Sequence, residues 1–279
     1  MRTMGTTRGG LETMTALVTG GGSGIGLATA ARLAADGAAV TICGRTEGKL
    51  AGAVTAIDAA SRRGDGPSPP PCRYVVADVT VEDQVRDAVR VAAGDHGLDI
   101  LFACAGGAHH MGPLVDADAD AVRATVELNL MGSFLSVKHA AAAMGSGGGG
   151  SIVLMSSGAG HFPHRWLWAY GMAKAGIEAL CASAAEELGG NGIRVNAVQP
   201  GIVDDELMAP ITAGGALLDD YLSQMPIRRL GTVDDVAAAV RFLAGPEAGW
   251  ITGACLAVDG GHHLRRGADY SLLFTTSGS

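Results

Sequence analysis

Basic residues are scarce in this chain. Lysine and arginine number 20 against 28 aspartates and glutamates, a formal net charge of −8 over 279 residues. A surface of that sign repels nucleic acid and anionic membranes, so neither is expected as a partner. Long apolar runs are missing too. Nothing approaches the roughly 18 consecutive apolar residues of a membrane-crossing helix, and the opening segment MRTMGTTRGGLETM lacks the apolar centre of a secretory leader. A soluble, cytoplasmic protein is expected. Cysteine is sparse, with five residues at 43, 72, 104, 181 and 255 and no CxxC spacing. That argues against a disulfide scaffold and for reduced thiols, three of them within apolar stretches. The histidines show no ligand pattern with nearby carboxylates, and no metal is expected.

What the chain does have is apolar bulk, 48% of its residues, and 43 glycines without a collagen-like period. TALVTG (15–20), AAVTIC (38–43), RYVVADV (73–79), LDILFACAG (98–106), GSIVLMSS (150–157), IRVNAVQPG (193–201) and ACLAVDGG (254–261) read as strands. Alanine-rich helical stretches lie between them, such as IGLATAARLAADG after the first strand. Near-continuous apolar strands separated by helices imply a parallel sheet covered on both faces. The predicted fold is α/β, a Rossmann-like, doubly wound, mostly parallel seven-stranded sheet. A single domain is expected over 14–262, between an N-terminal extension, 1–13, and a C-terminal extension, 263–279. RRGDGPSPPP (62–71) and GSGGGG (145–150) are expected to be loops.

Two segments carry chemistry. TGGGSGIG (19–26) joins the first strand to the first helix, with Gly20, Gly24 and Gly26 in a T-G-x-x-x-G-x-G pattern rather than strict GxGxxG. Glycines there let the backbone turn tightly and approach a pyrophosphate, while the helix start offers unpaired N–H groups and partial positive charge. Further on, WAYGMAKAG (168–176) sets Tyr170 one helical turn before Lys174, on the same face. A free tyrosine, with a pKa of about 10, is a poor proton source at neutral pH. A protonated lysine beside it favours the phenolate and is expected to bring the pair toward the working range. An incidental helix face would show the same spacing.

TGGGSGIG, YGMAK and the residues between them resemble the short-chain dehydrogenase/reductase family over about residues 14 to 262. The resemblance implies a nicotinamide coenzyme, hydride exchange with a small-molecule carbonyl or alcohol, and a homotetramer or homodimer. It assigns Asn129 to hold a water linking Lys174 to solvent, Ser157 to polarise the substrate oxygen, and Tyr170 as general acid and base. Lys174 would also hold the nicotinamide ribose, and the cationic nicotinamide ring would join it in lowering the Tyr170 pKa. The neighbouring Ser156 reads as structural. For the coenzyme, Gly20, Ser23, Gly24, Ile25 and Gly26 form the pyrophosphate turn. Asp78, with the Val79 backbone, matches the adenine site, a helix cap near Val81 being the competing reading. Ala105 and Gly106 permit close approach, and Pro200, Gly201 and Val203 flank the nicotinamide.

NAD-specific members place a carboxylate after the second strand, where this chain has Gly44 followed by Arg45. A guanidinium holds a 2′-phosphate that a carboxylate would repel, so NADP(H) is favoured, with NAD(H) the alternative. A solvated loop arginine is the competing reading. The chain departs from the family pattern at Ser23, where an NADP-specific basic residue is absent, at Cys104 in place of asparagine, and at Asp205 in place of threonine. Residues from Pro200 to about 225 are expected to form a mobile lid. His161, His164, Arg165, Trp166 and Trp168 either border the substrate or serve packing, and His262 and His263 read as tail residues. A coenzyme-sensing regulator would have no use for Tyr170 with Lys174, so redox of a hydroxyl or ketone is the expected function.

Overall fold

The computed structural model describes residues 10–61, 70–145, 148–206 and 208–273; the expected loop at 62–71 lies outside it apart from residues 70 and 71, as do residues 146 and 147 of the second loop. The first half runs β1 (Thr15–Thr19), α1 (Gly24–Ala35), β2 (Ala39–Gly44), α2 (Glu47–Ser61), β3 (Arg73–Val76), α3 (Glu82–Ala93), β4 (Ile100–Ala103), α4 (Ala119–Val126) and α5 (Gly132–Gly145). Next come β5 (Gly150–Met155), α6 (Gly158–His161), α7 (Trp168–Gly189), β6 (Ile193–Pro200) and β7 (Val203–Asp204). The chain closes with α8 (Ala209–Thr212), α9 (Ala216–Gln224), β8 (Gly231–Thr232), α10 (Val233–Ala244) and β9 (Cys255–Val258).

Seven strands form one parallel sheet in the order β3-β2-β1-β4-β5-β6-β9. Side chains alternate along each strand, and the two faces carry separate halves of the core. Val18, Phe102, Val153 and Val198 pack in one buried cluster with Leu33 of α1, Ile57 of α2 and Val240 of α10. Leu17, Leu101, Ile152 and Val195 pack in the other with Val89 of α3, Val137 of α5 and Ile177 of α7. Burial on both faces explains why the strands read as unbroken apolar runs.

The chain builds outward from β1 to β3, then returns to place β4 on the other side of β1. That reversal opens a crevice at the carboxyl ends of the strands, where doubly wound sheets take ligands. Beyond β6 the chain leaves the main sheet, and β7 pairs with β8 in a ladder of its own. A third apolar cluster joins Ile202, Ile211, Leu217, Tyr221 and Met225 of this excursion to Ala268 and Tyr270 of the tail. Ala268 and Tyr270 of the tail are 0% and 4% exposed.

The turn after β1 depends on bare glycine. Gly20 has φ +67, and a methyl on Gly26 would lie 2.3 Å from the Gly20 carbonyl oxygen. Gly26→Ala is expected to lower stability by about 1–3 kcal/mol, the usual cost of overpacking. Thermal denaturation checks this, and an unchanged melting temperature would show that the turn relaxes freely.

Candidate active site

A cavity of about 640 Å³ is lined by Arg45, Asp78, Val79, Ala105 and Gly106 and also by Ser157, Tyr170 and Lys174. Gly20, Ser23, Gly24, Ile25, Gly26, Pro200, Gly201 and Val203 line it as well. Every residue expected at the coenzyme therefore meets in one space. Asn129 stands behind the wall, fully buried.

Thr19, at the end of β1, holds the loop after β4. Its hydroxyl accepts from the backbone N–H of Cys104 at 3.0 Å and of Ala105 at 3.2 Å. These bonds use no side chain at position 104, so the cysteine there leaves them intact. Burial pushes its thiol up to about 12, keeping it uncharged. Asp78 does not cap α3: its Oδ1 accepts from the Thr80 N–H and hydroxyl at 3.0 and 2.8 Å, and the N-cap is Val81 without a side-chain bond.

Arg45 is exposed, lines the cavity and forms no ion pair among the described residues. Lys49 lines the same end and meets Glu206 at 3.1 Å. The cradle fits a dinucleotide, with one obstruction. Asp205 Oδ1 accepts from the Met208 N–H at 2.9 Å, and a methyl on Gly24 would come within 2.9 Å of its Oδ2. A carboxylate thus sits at the positive end of α1, where a pyrophosphate would displace it.

Asn129 lies in a π-helical turn, Glu127–Met131, between α4 and α5. Such turns interrupt the regular ladder and frequently mark functional sites. Its Nδ2 donates to the carbonyls of Gly107 and Thr125, both at 2.7 Å, and its Oδ1 accepts from the Gly107 N–H at 3.2 Å. The amide is fully engaged in pinning the loop after β4. A methyl on Gly106 would meet Asn129 Oδ1 at 2.6 Å and Lys174 Nζ at 3.2 Å, so both side chains converge beneath that glycine.

Ser157 follows β5 as the N-cap of α6, its hydroxyl oxygen accepting from the Ala159 N–H at 3.2 Å. Its own proton is left to donate. Ser156 instead donates to Glu178 at 2.8 Å, which Gln199 also meets at 2.7 Å; this serine belongs to the packing of α7. Tyr170 lies in the first turn of α7. One turn later, Lys174 donates to the Met155 carbonyl at 2.7 Å, and its Nζ stands 5.3 Å from the centre of the Tyr170 ring.

Burial acts on both groups of the pair. Tyr170 keeps part of its surface open to the cleft, yet the atoms around it desolvate the phenol and push its pKa up, with the Ser157 hydroxyl acting in the other direction. Burial lowers Lys174 to about 8. Burial thus opposes the charged form of both groups.

At the other end of the cavity the sequence was less informative. Of the five residues expected to border substrate or serve packing, only His164 lines the cavity. His161 is exposed, Arg165 pairs with Asp269 at 3.3 Å, Trp166 packs against the third apolar cluster, and Trp168 donates to the Gly112 carbonyl. His262 is no tail residue: it is 1% exposed and lines the cavity, whereas His263 pairs with Asp259. Tyr221 and Tyr270 line it too, with no motif to announce them.

The family described as enoyl-(acyl carrier protein) reductase matches residues 20–263. A cis-4-hydroxycyclohexanecarboxylate dehydrogenase from Sinomonas cyclohexanicum is 41% identical over 88% of this chain and 95% of its own. A galactitol 2-dehydrogenase (L-tagatose-forming) from Cereibacter sphaeroides is 33% identical over 90% of this chain and 96% of its own. Among solved structures, a short-chain type dehydrogenase/reductase from Mycobacterium ulcerans superposes with a TM-score of 0.90 at 44% identity, over 94% of each chain. The chain belongs to the short-chain dehydrogenase/reductase family. It is an oxidoreductase of alcohol and carbonyl groups, in a family that uses NAD(P)(H).

The depressed Lys174 has a thermodynamic signature. Its folded pKa of about 8 lies below the ordinary 10.5, so the penalty of burying its charge is full below pH 8 and fades as pH rises toward 10.5. The natural chain is expected to gain stability over a Lys174→Met variant across that window. Denaturant unfolding at stepped pH measures it, and a constant difference would show that the amine is solvated.

Proposed function

We propose that the protein interconverts secondary alcohols and carbonyl compounds with NADP(H), with Tyr170 as general acid and base at the substrate oxygen. The observation that carries this reading is the meeting of Ser157, Tyr170 and Lys174 at the carboxyl end of β5, in one cavity with the glycine turn. The nicotinamide coenzyme would supply or accept the hydride at the substrate carbon.

The chain's own residues do the rest. Ser157, its oxygen already occupied by the Ala159 N–H, donates to the substrate oxygen and polarises it. Tyr170 gives that oxygen its proton in reduction and takes it back in oxidation. A high phenol pKa suits the first role directly. Oxidation requires added positive charge beside the phenol, which the oxidised nicotinamide ring carries when bound. Lys174 uses one of its three N–H donors on Met155 and has two left for ribose hydroxyls and proton resupply. Asn129 holds the Gly107 backbone firm, and a relay water there would take the Asn129 carbonyl rather than its amide, alongside the Ser133 hydroxyl at 2.7 Å.

Arg45 supports the choice of NADP(H): a guanidinium with no ion pair among the described residues faces the coenzyme end, with Lys49 beside it. The relatives named for hydroxycyclohexanecarboxylate and galactitol oxidation support an alcohol-bearing substrate.

Tyr170→Phe is expected to keep coenzyme binding while losing about 100-fold or more in kcat, the usual contribution of general acid–base catalysis. Steady-state assays following reduced coenzyme check this, and undiminished turnover would end the reading. Arg45→Asp is expected to reduce the preference for NADPH over NADH in kcat/KM by about tenfold or more, since a hydrogen bond to a charged group contributes about 1.5–3 kcal/mol. Parallel assays with both coenzymes decide, and an unchanged ratio would make Arg45 a solvated loop charge.

A further inference from the structure

Past the reacting groups, the cavity ends in a wall that the reaction above leaves unused: His164, Tyr221, His262 and Tyr270. These side chains come from the loop before α7, from α9 and from the tail, and each is buried. They form one aromatic cluster around Phe162, with His164 and His262 at 5.7 Å and Tyr221 and His262 at 5.4 Å between ring centres. Tyr270 lies near enough to Tyr170 that charge on one phenol opposes charge on the other.

The hydrogen bonds can be counted. The Tyr221 and Tyr270 hydroxyls meet at 2.9 Å. Two hydroxyls carry two protons, and their shared bond uses one. Neither forms another bond among the described residues, so one O–H remains to donate. His164 Nδ1 lies 3.2 Å from the Phe162 carbonyl, which only accepts; Nδ1 therefore carries the proton and Nε2 is an acceptor. His262 Nε2 likewise faces the Arg266 carbonyl at 2.9 Å, leaving Nδ1 as the acceptor. Burial lowers both imidazoles, His164 to about 4, so each is uncharged at neutral pH.

Among the described residues, no cation belongs to this wall. Arg165 pairs with Asp269 and Arg266 with Asp220, and neither arginine lines the cavity. Lys174 lies with the reacting groups, bonded to Met155. Leu167, Ile202, Met208 and Ile211 also line the cavity and pack in one cluster with Tyr170, Tyr221 and Tyr270.

We propose that this wall recognises a second, uncharged hydroxyl or carbonyl on the substrate, so that the enzyme prefers diols and hydroxyketones with an apolar frame over alcohols bearing a carboxylate. The inference rests on the alcohol/carbonyl reading of the site. A hydroxyl both gives and takes a hydrogen bond and matches one phenol donor with imidazole acceptors. A carboxylate only accepts, and here it would lose its hydration facing acceptor lone pairs, with no cation to compensate.

The test compares cyclohexanol, cyclohexane-1,4-diol and 4-hydroxycyclohexanecarboxylate, each as both isomers where isomers exist, with the full chain and coenzyme. The diol is expected to exceed both others in kcat/KM, and Tyr270→Phe to cut the diol-to-cyclohexanol ratio about five- to tenfold. Tyr221→Phe is a second variant that breaks the same pair. A ratio unmoved in both variants, or a preference for the carboxylate, would overturn the inference. Binding to the enzyme–NADPH complex, read from nicotinamide fluorescence, separates the two kinds of failure. Tighter binding of the diol with no turnover of any compound would remove the redox reading and leave the wall's selectivity standing. Binding that does not favour the diol over the carboxylate, or no binding at all, would remove the inference.

Discussion

A buried ammonium must find acceptors or give up its proton. Lys174, 1% exposed, finds one in the carbonyl of Met155 at 2.7 Å. That bond fixes α7 against the end of β5, and the rest of the site follows from it. Ser157 lies two residues beyond Met155 on the strand side, and Tyr170 one turn before Lys174 on the helix side. Tying the amine to the strand end thus brings hydroxyl and phenol to the same place. The Ser156–Glu178–Gln199 network secures the same junction one turn further along α7. The cost of the arrangement is visible in Lys174 itself, whose pKa burial lowers to about 8. It remains mainly charged at neutral pH, but with little margin.

That narrow margin changes how the acid–base pair has to be understood. Proximity of lysine to tyrosine does not make the phenol acidic when both sit in a poorly solvated cleft, because desolvation disfavours the charged form of each. In reduction the phenol must only surrender a proton to an oxygen that is gaining negative charge, and a protonated Tyr170 is ready for that. In the proposed oxidation it would first become a phenolate, which positive charge beside it favours.

Much of this was legible in the sequence, and the boundary of legibility has a physical basis. The seven strands could be read because both faces of a parallel sheet are buried, which leaves apolar runs that composition reveals. Gly20 and Gly26 could be read because no other residue tolerates the backbone contacts between them. Tyr170 and Lys174 share a helix face, so their meeting is local. Tyr221 and Tyr270 are 49 residues apart and meet only because the tail folds back onto α9; nothing in either neighbourhood signals the other. His262 was misread for the same reason. The direction of the Tyr170 shift was also out of reach, since desolvation depends on every atom packed around the phenol and not on its partner in sequence.

Charge is distributed unevenly along the cavity, and the two ends behave differently in consequence. At the coenzyme end, ionic groups can exchange partners: Arg45 has no ion pair among the described residues, Lys49 is exposed with Glu206, and Asp205 occupies the approach to the positive end of α1. In the proposed reading an incoming anion would displace that carboxylate and recruit Arg45 and Lys49, and because both cations are exposed the exchange would cost little. At the opposite end the groups are buried and neutral, each histidine already fixed in one tautomer by a backbone carbonyl. A ligand cannot purchase binding there with charge; it has to match a preset pattern of one donor and two acceptors. The first end is built for an anion whatever it is attached to, and the second for the position of a single hydrogen. Affinity for coenzyme should therefore fall with salt, while discrimination among substrates should not.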